Sequence, residues 1–347
     1  MLPPDFFLHG AAASVDPSEN DALLSQVFDY ETVQLESGDY CRKLEFAATN
    51  RFICYSESVG ARLHNLGTLR GDLFGIALTD VNHSSWWGNN VESYQLPTAT
   101  SHTVLETSQE SGLSQTVLLW SRSGFEHLTS NGGLNSQTRD QIASFWELSQ
   151  SGTILTTQAT DTVREWFHFF ESQVHAVSSG QLNLSSERFE ALGLGTLISI
   201  ADETALAEHS LKISRSRALD LVCRAVEFDG SVLYAPCIIP VICGHLECSR
   251  RTLELAFREI VGLSPLKYLN RKRLNRLYQD LRSAHPVMTS VTELGAKHGF
   301  SELGRLSGSY KKIFGETPGT TLRCFQSNSG SILPYGFPAD SSHSFSV

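Results

Sequence analysis

The chain has no run of eighteen apolar residues, so nothing in it reads as a membrane-spanning helix. Its first residues, MLPPDFFLHGAAASVDP, lack the basic start and sustained apolar core of a secretory signal. Cysteine is scarce and odd in number. Cys41, Cys54, Cys223, Cys237, Cys243, Cys248 and Cys324 are scattered over 347 residues, which argues against a disulfide framework and for a reducing compartment. A cytoplasmic protein is therefore expected. Phosphate-cradling glycine loops, nucleophile elbows and paired carboxylates are missing too. No catalytic residue and no cofactor is assigned, and an enzyme is not expected.

What is present is a hydrophobic share of 41% and enough length for two domains with proper cores. The shortage of positive charge is local. Residues 1–214 hold 10 Lys and Arg against 26 Asp and Glu, whereas residues 215–326 hold 17 against 10. The formal net charge of −10 thus conceals a basic part suited to a polyanion and an acidic part that stays off it.

Behind an N-terminal arm over residues 1–24, the segment 25–135 is rich in short β-branched and aromatic runs. ETVQL, RKLEFA, RFICYS, LFGIALT and QTVLLWS are separated by turn material such as SGD and WGNN, which predicts a sandwich or small barrel. From 136 to 208 the pattern is helical and is read as a helical linker or dimerisation segment. Val163, Phe167, Phe170, Val174 and Val177 share one helix face. That stripe serves either as packing within its own domain or as a homodimer seam. All five tryptophans lie in this first part, as core packing or as the wall of a pocket. Residues 325–347, rich in Ser, Gly and Pro without periodicity, read as a disordered tail.

From residue 216 the chain reads as helices in a fixed order. IPVICGHL predicts a short helix with Pro240 near its start, where a missing N–H does no harm. Ser249 then caps a second helix whose inward stripe is Leu253, Ala256, Phe257 and Ile260. A short helix, a tight turn and an amphipathic helix make a helix–turn–helix over about 239–261. Its second helix turns Arg250, Arg251, Thr252 and Glu254 outward. Arginine grips guanine O6 and N7 with two bonds, or holds a phosphate instead, and glutamate accepts from cytosine N4.

Gly262 ends that helix, and Ser264 and Pro265 start a linker helix that runs to Arg282, about 27 Å at 1.5 Å per residue. It carries Lys267, Arg271, Lys272, Arg273 and Arg276, of which Arg271 and Arg273 are candidate DNA contacts. A second motif follows over about 291–313. It has a Gly299 turn and a helix capped by Ser301, with Leu306, Tyr310 and Ile313 facing inward. Arg305, Ser307 and Ser309 are its candidate groove-facing residues, and Lys311 and Lys312 its candidate phosphate contacts. Two recognition helices separated by a rod suit successive major-groove faces, about 34 Å apart on B-DNA.

The stretches SRRTLELAFREIVGLSPLKYLNRKRLNRL and GFSELGRLSGSYKKIFGETPGTTLR resemble the C-terminal domain of AraC/XylS transcription regulators, over roughly residues 216–324. Ser249, Leu253, Phe257, Gly262, Pro265 and Arg273 stand where that pattern wants them, as do Gly299, Phe300, Gly315 and Pro318. The second stretch looks closest to the branch of the ethanolamine-utilisation regulator. The resemblance implies an α+β chain with an N-terminal β-rich, cupin-like barrel that senses a small molecule. It implies a C-terminal all-α double helix–turn–helix that binds double-stranded promoter or operator DNA sequence-specifically, and activation through RNA polymerase. The effector and its residues are not implied. Departures from the pattern are Glu247 at a turn position usually held by glycine, and Leu306 and Tyr310 where phenylalanines are common. Gly304 and Gly308 lie inside the second recognition helix, each costing roughly 1 kcal/mol relative to alanine.

Two other classes account for parts of the sequence. A β-barrel enzyme or metal-binding domain fused to a DNA-binding module would draw on His83 and His102, or on Cys237, Cys243, His245 and Cys248. The C-x5-C-x-H-x2-C spacing matches no compact zinc pattern, so buried structural cysteine is favoured and no metal is assigned. A non-specific architectural protein would hold all duplexes alike, with a steep salt slope.

Overall fold

The computed structural model describes residues 7–14, 24–38, 40–79, 84–92, 95–131, 134–149, 153–156, 160–205, 211–212, 216–231, 238–283 and 289–328. Its strands are β1 (Phe7–Ser14), β2 (Phe28–Gln34), β3 (Arg42–Thr49), β4 (Phe52–Val59), β5 (Leu63–Leu69), β6 (Leu73–Thr79) and β7 (Ser84–Trp86). After these come β8 (Asn89–Asn90), β9 (Gln95–Thr100), β10 (Leu105–Gln109), β11 (Ser114–Ser121), β12 (Thr153–Thr156) and β13 (Leu211–Lys212). The helices are α1 (Leu24–Val27), α2 (Arg122–Asn131), α3 (Ser136–Ser149), α4 (Thr160–Ser178), α5 (Ser186–Ala205) and α6 (Arg217–Ser231). The C-terminal series is α7 (Ile238–His245), α8 (Arg250–Ile260), α9 (Pro265–Ser283), α10 (Val291–Lys297), α11 (Leu303–Phe314) and α12 (Pro318–Asn328). Among the described residues, no helix is long and apolar enough to cross a membrane.

The fold is α+β: a β-rich N-terminal unit and a helical C-terminal unit. The strands form two antiparallel sheets, ordered β1-β3-β4-β11-β6-β9-β12-β13 and β2-β5-β10-β7-β8. The cupin-like barrel expected from the resemblance is therefore not closed. Pairing ends at short strands, β13 in one sheet and β8 in the other, and the unit is two sheets face to face.

Alternation along each strand sorts its residues between two layers. In the larger sheet the cross-strand row Phe46, Tyr55, Val117 and Ala77 turns toward the smaller sheet. The neighbouring row, Ala47, Cys54, Leu118 and Ile76, turns to the opposite face and packs with α4 and α5. There Phe167, Phe170, Val174 and Val177 are buried beside Phe52 and Trp120. The α4 stripe is thus taken up inside its own domain and is not left as a seam for a second copy.

Three strands fall where none was expected, the third being the two-residue β13, which pairs with β12 ahead of α6. β1 lies inside the arm, where Gly10 and three alanines carry no strand pattern. It forms because β3 offers a complete edge, from Phe7↔Thr49 to Ser14↔Arg42. β12 interrupts the helical segment by pairing with β9, Ile154 opposite Pro97. At the other end α12 reaches Asn328, past the start of the expected tail, while 329–347 lie outside the described residues.

The C-terminal helices make two units that share α9. Leu253, Phe257, Ile260, Tyr268 and Leu269 belong to a core that continues into the smaller sheet. Leu277, Tyr278, Leu281, Leu306, Tyr310 and Ile313 form a separate one around α10 to α12.

Candidate nucleic-acid interface

In the first motif the Ser249 side chain accepts from the Thr252 backbone N–H at 3.0 Å, which fixes the start of α8. Leu253, Ala256, Phe257 and Ile260 are buried, so the opposite face is presented outward. Arg250 is 77% exposed and donates from Nε to Glu254 Oε1 at 3.0 Å. Glu254 therefore aims this arginine, in addition to offering its own acceptor. Arg251 is exposed, and the Thr252 hydroxyl is 2.8 Å from that of Ser249. The turn ahead of α8 needs a left-handed residue, and Glu247 supplies it at φ 51° where the second motif uses Gly299 at φ 77°. A side chain in that region costs roughly 1–2 kcal/mol.

The second motif opens on a capping box. Ser290 Oγ accepts from the Glu293 N–H, and Glu293 reaches back to the Ser290 N–H. This S-x-x-E signature stands in the sequence, and the reading above missed it. The cap expected at Ser301 is displaced: Glu302 holds the N-cap position of α11 without a side-chain cap bond. Leu306, Tyr310 and Ile313 are buried, so Arg305 (83% exposed), Ser309, Lys311 and Lys312 project outward and Ser307 is half-buried. Gly304 and Gly308 lie one turn apart on the exposed side, and a methyl group on either would meet nothing within 4 Å. A strip of bare backbone thus runs between these cations.

α9 departs most from expectation. Lys267 is exposed, but Arg273 is 7% exposed and Lys272 2%, and Arg271 is half-buried. Burial lowers the Arg271 pKa from its ordinary value. The expectation that Arg273 meets DNA is corrected for this arrangement by its burial, whereas Arg271 is only half-buried; α9 lies against β2 through other side chains. Arg276 forks onto Glu31 with Nε to Oε1 at 2.8 Å and Nη2 to Oε2 at 3.1 Å. Lys272 Nζ sits 3.2 Å from the same carboxylate and donates to the Val226 carbonyl at 2.9 Å. The Asn275 amide pairs with the Gln34 backbone as a neighbouring strand would, accepting at 3.0 Å and donating at 3.3 Å.

A buried relay completes this contact. Tyr268 Oη is 3.0 Å from His64 Nδ1, and His64 Nε2 is 3.0 Å from Glu106 Oε1. Glu106 Oε2 accepts from the Gly88 N–H at 3.1 Å. Burial, with Glu31 and Glu106 nearby, pushes the Tyr268 phenol well up, so it stays protonated. The whole row is satisfied when His64 Nδ1 accepts from the Tyr268 hydroxyl and its Nε2–H donates to Glu106. Gly88 itself lies so close to α8 that a methyl group there would sit 2.7 Å from Ile260 Cδ1. Nothing in the sequence announces these contacts, since their partners are some 200 positions apart.

The smaller sheet separates this contact from a cavity between the two sheets. Asn65 and Thr107 line the cavity; their neighbours His64 and Glu106 face α9. Of the tryptophans, Trp86 lines the cavity, whereas Trp120 stacks on Phe74 on the far side of the larger sheet and Trp146 packs on Phe125. Cys243 and Cys248 are half-buried near one another, and burial raises the Cys243 thiol. A protonated thiol is a poor metal ligand. Cys237 and His83 lie outside the described residues, and His102 is exposed.

Comparison with known proteins bears on the same region. Residues 242–323 match a family model described as "Helix-turn-helix domain". The chain is 28% identical over 174 residues to the "Probable thc operon regulatory protein" of Rhodococcus erythropolis, a match covering 47% of this chain and 50% of that protein. It is 27% identical over 150 residues to "XylDLEGF operon transcriptional activator 2" of Pseudomonas putida, covering 37% of this chain and 96% of that one. The chain thus spans about half the length of the first of these relatives. Among solved structures, a transcriptional regulator with an AraC-type DNA-binding domain from Chromobacterium violaceum is 28% identical. It covers 30% of this chain and 92% of its own, with a TM-score of 0.28.

Proposed function

Starting from a C-terminal domain of the AraC-type helix–turn–helix kind, we propose that the whole chain is a sequence-specific transcription regulator, an activator under small-molecule control. One observation carries the reading: two outward helix faces, Arg250–Arg251 on α8 and Arg305–Lys312 on α11, stand at opposite ends of the 19-residue rod α9. At 1.5 Å per residue α9 is about 28 Å long, which suits neighbouring turns of one major groove. The named relatives, an operon regulatory protein and an operon activator, support control of transcription. The same reading makes it a cytoplasmic protein that is not an enzyme and that works with RNA polymerase. The branch of the ethanolamine-utilisation regulator remains a likeness of wording in Gly299–Arg323, and these relatives carry other names.

The domain division into arm, β-rich sensor, helical segment and DNA-binding part belongs to the same proposal. So do Arg250, Arg251, Thr252, Glu254, Arg305, Ser307 and Ser309 as reading residues, Lys311 and Lys312 as phosphate anchors, and Arg271 as a DNA contact on α9. A ligand in the cavity presses on Asn65 and Thr107, and their neighbours hold Tyr268 of α9. Occupancy is thereby felt at the rod that sets the spacing of the two recognition helices.

The test is selection of bound duplexes from a random pool by the full chain. The expected product is one enriched site held about 10³-fold or more over random DNA. Equal affinity for all sequences would leave only the architectural reading.

A further inference from the structure

We propose that the cavity between the sheets takes a small neutral aromatic molecule that donates a hydrogen bond, such as an aryl alcohol or aryl amide, and rejects aryl carboxylates. This rests on the reading of the chain as effector-controlled, and it comes from the wall of the cavity. The cavity is lined from both sheets, by Tyr55, Ala77 and Val117 of one and Tyr30, Asn65 and Thr107 of the other. Phe28, Tyr30, Tyr55 and Trp86 supply aromatic walls, and the small side chains of Ala77 and Ala99 keep the centre open.

The polar wall is specific about what is left over. Asn65 has its amide used on both sides: Nδ2 donates to Thr107 Oγ1 at 3.1 Å and Gln109 Oε1 at 3.2 Å, and Oδ1 accepts from Thr32 at 2.7 Å. Glu57 Oε1 accepts from Gln109 Nε2 at 3.2 Å and also from Gln115 Nε2. Its other oxygen lies 3.3 Å from Arg42 Nε, and both side chains of that ion pair are almost fully buried. The carboxylate is thus already matched by one cation. Gln115 Oε1 remains. It belongs to a lining side chain 4% exposed and has no hydrogen-bond partner among the described residues. Trp86 Nε1, on the wall, likewise lacks an acceptor there.

An unmatched buried acceptor is relieved by a ligand that donates, and the indole N–H by one that also accepts. Hydroxyl and amide groups do both. A carboxylate brings a second negative charge beside Glu57 with no cation left to meet it, and an ammonium brings a positive charge beyond the matched pair.

The full chain, titrated calorimetrically with benzyl alcohol, benzamide, benzoate and benzylamine, tests this. Saturable binding of benzyl alcohol or benzamide is expected, with benzoate and benzylamine at least about tenfold weaker. Gln115→Leu weakens the neutral probe about tenfold, or 1.4 kcal/mol. Ala99→Leu, which fills the cavity without touching the polar wall, removes binding while thermal unfolding remains cooperative. Benzoate or benzylamine binding as tightly as the neutral probes, no saturable binding of any probe, or unchanged affinity in both variants would each overturn the proposal. Specific DNA binding by the same preparation is measured in parallel. If it persists while the probes fail, the ligand class is lost and the regulator reading stands. If it is absent, the regulator reading fails on its own account.

Discussion

Arg250 and Arg251 at the head of α8 stand in solvent, whereas Lys272 and Arg276 on the next helix are folded onto an acidic strand and Arg273 beside them is buried. Both sets belong to the same basic third of the chain, and both fall in the stretch that most resembles a DNA-binding domain. The difference lies in what each helix faces. α8 turns its apolar stripe inward and leaves its first turn uncovered, while α9 has a core on one side and β2 on another. Basic composition therefore marks a potential for polyanions. Burial decides which cations keep it, and here Glu31 takes up the Arg276 guanidinium and the Lys272 ammonium.

The largest expected effect breaks the sequestered side. Glu31→Ala leaves Lys272 buried beside no carboxylate and should cost about 3 kcal/mol in urea unfolding. Adding Lys272→Met should recover most of that loss, and a double variant as weak as the single would refute the pairing. On the exposed side, Arg250→Ala or Arg251→Ala should weaken the selected site by about 1–3 kcal/mol and random DNA far less. Equal loss on both would make that arginine a phosphate contact. Glu247→Gly relieves a left-handed residue in the first turn and should stabilise the chain by roughly 1 kcal/mol, read as a raised urea midpoint.

The smallest effect is a pH dependence at the second motif. His298 Nε2 lies 2.9 Å from Asp280 Oδ2, and Lys297 Nζ lies 2.6 Å from the same oxygen. Burial outweighs the carboxylate and lowers the His298 pKa, so the ring stays neutral and donates. Burial alone would raise Asp280, but donation from Lys297 and His298 holds it below its ordinary value. Both groups bind fewer protons folded than unfolded. Their stabilisation is present above the unfolded values, about 6.5 for histidine and about 3.9 for aspartate, and is lost as pH falls through the lowered ones. Tm should fall on acidification from neutrality, and His298→Gln should flatten the histidine part. A Tm that rises as pH drops would contradict the assignment.

Much of the C-terminal unit was legible because its signals are local. Ser249, Gly262, Pro265 and the stripe Leu253–Ile260 each act within one or two helical turns. The Ser290–Glu293 box was equally local and was overlooked. What the sequence could not disclose depends on distant partners: β1 pairs because of β3, Lys272 is buried because α9 meets β2, and His64 matters because Tyr268 arrives opposite it. In the β-rich unit the strands ETVQL, RKLEFA and QTVLLWS showed their alternation. The closing of the barrel did not follow, since closure is set by the short edge strands β8 and β13.

Footprinting of the full chain on its selected site tests the central arrangement most directly. Protection over two successive turns of the duplex on one face is the expected pattern, with the Arg250→Ala variant losing only the half nearest α8. Protection confined to a single turn, or a uniform pattern without a boundary, would contradict two reading helices held at the ends of α9.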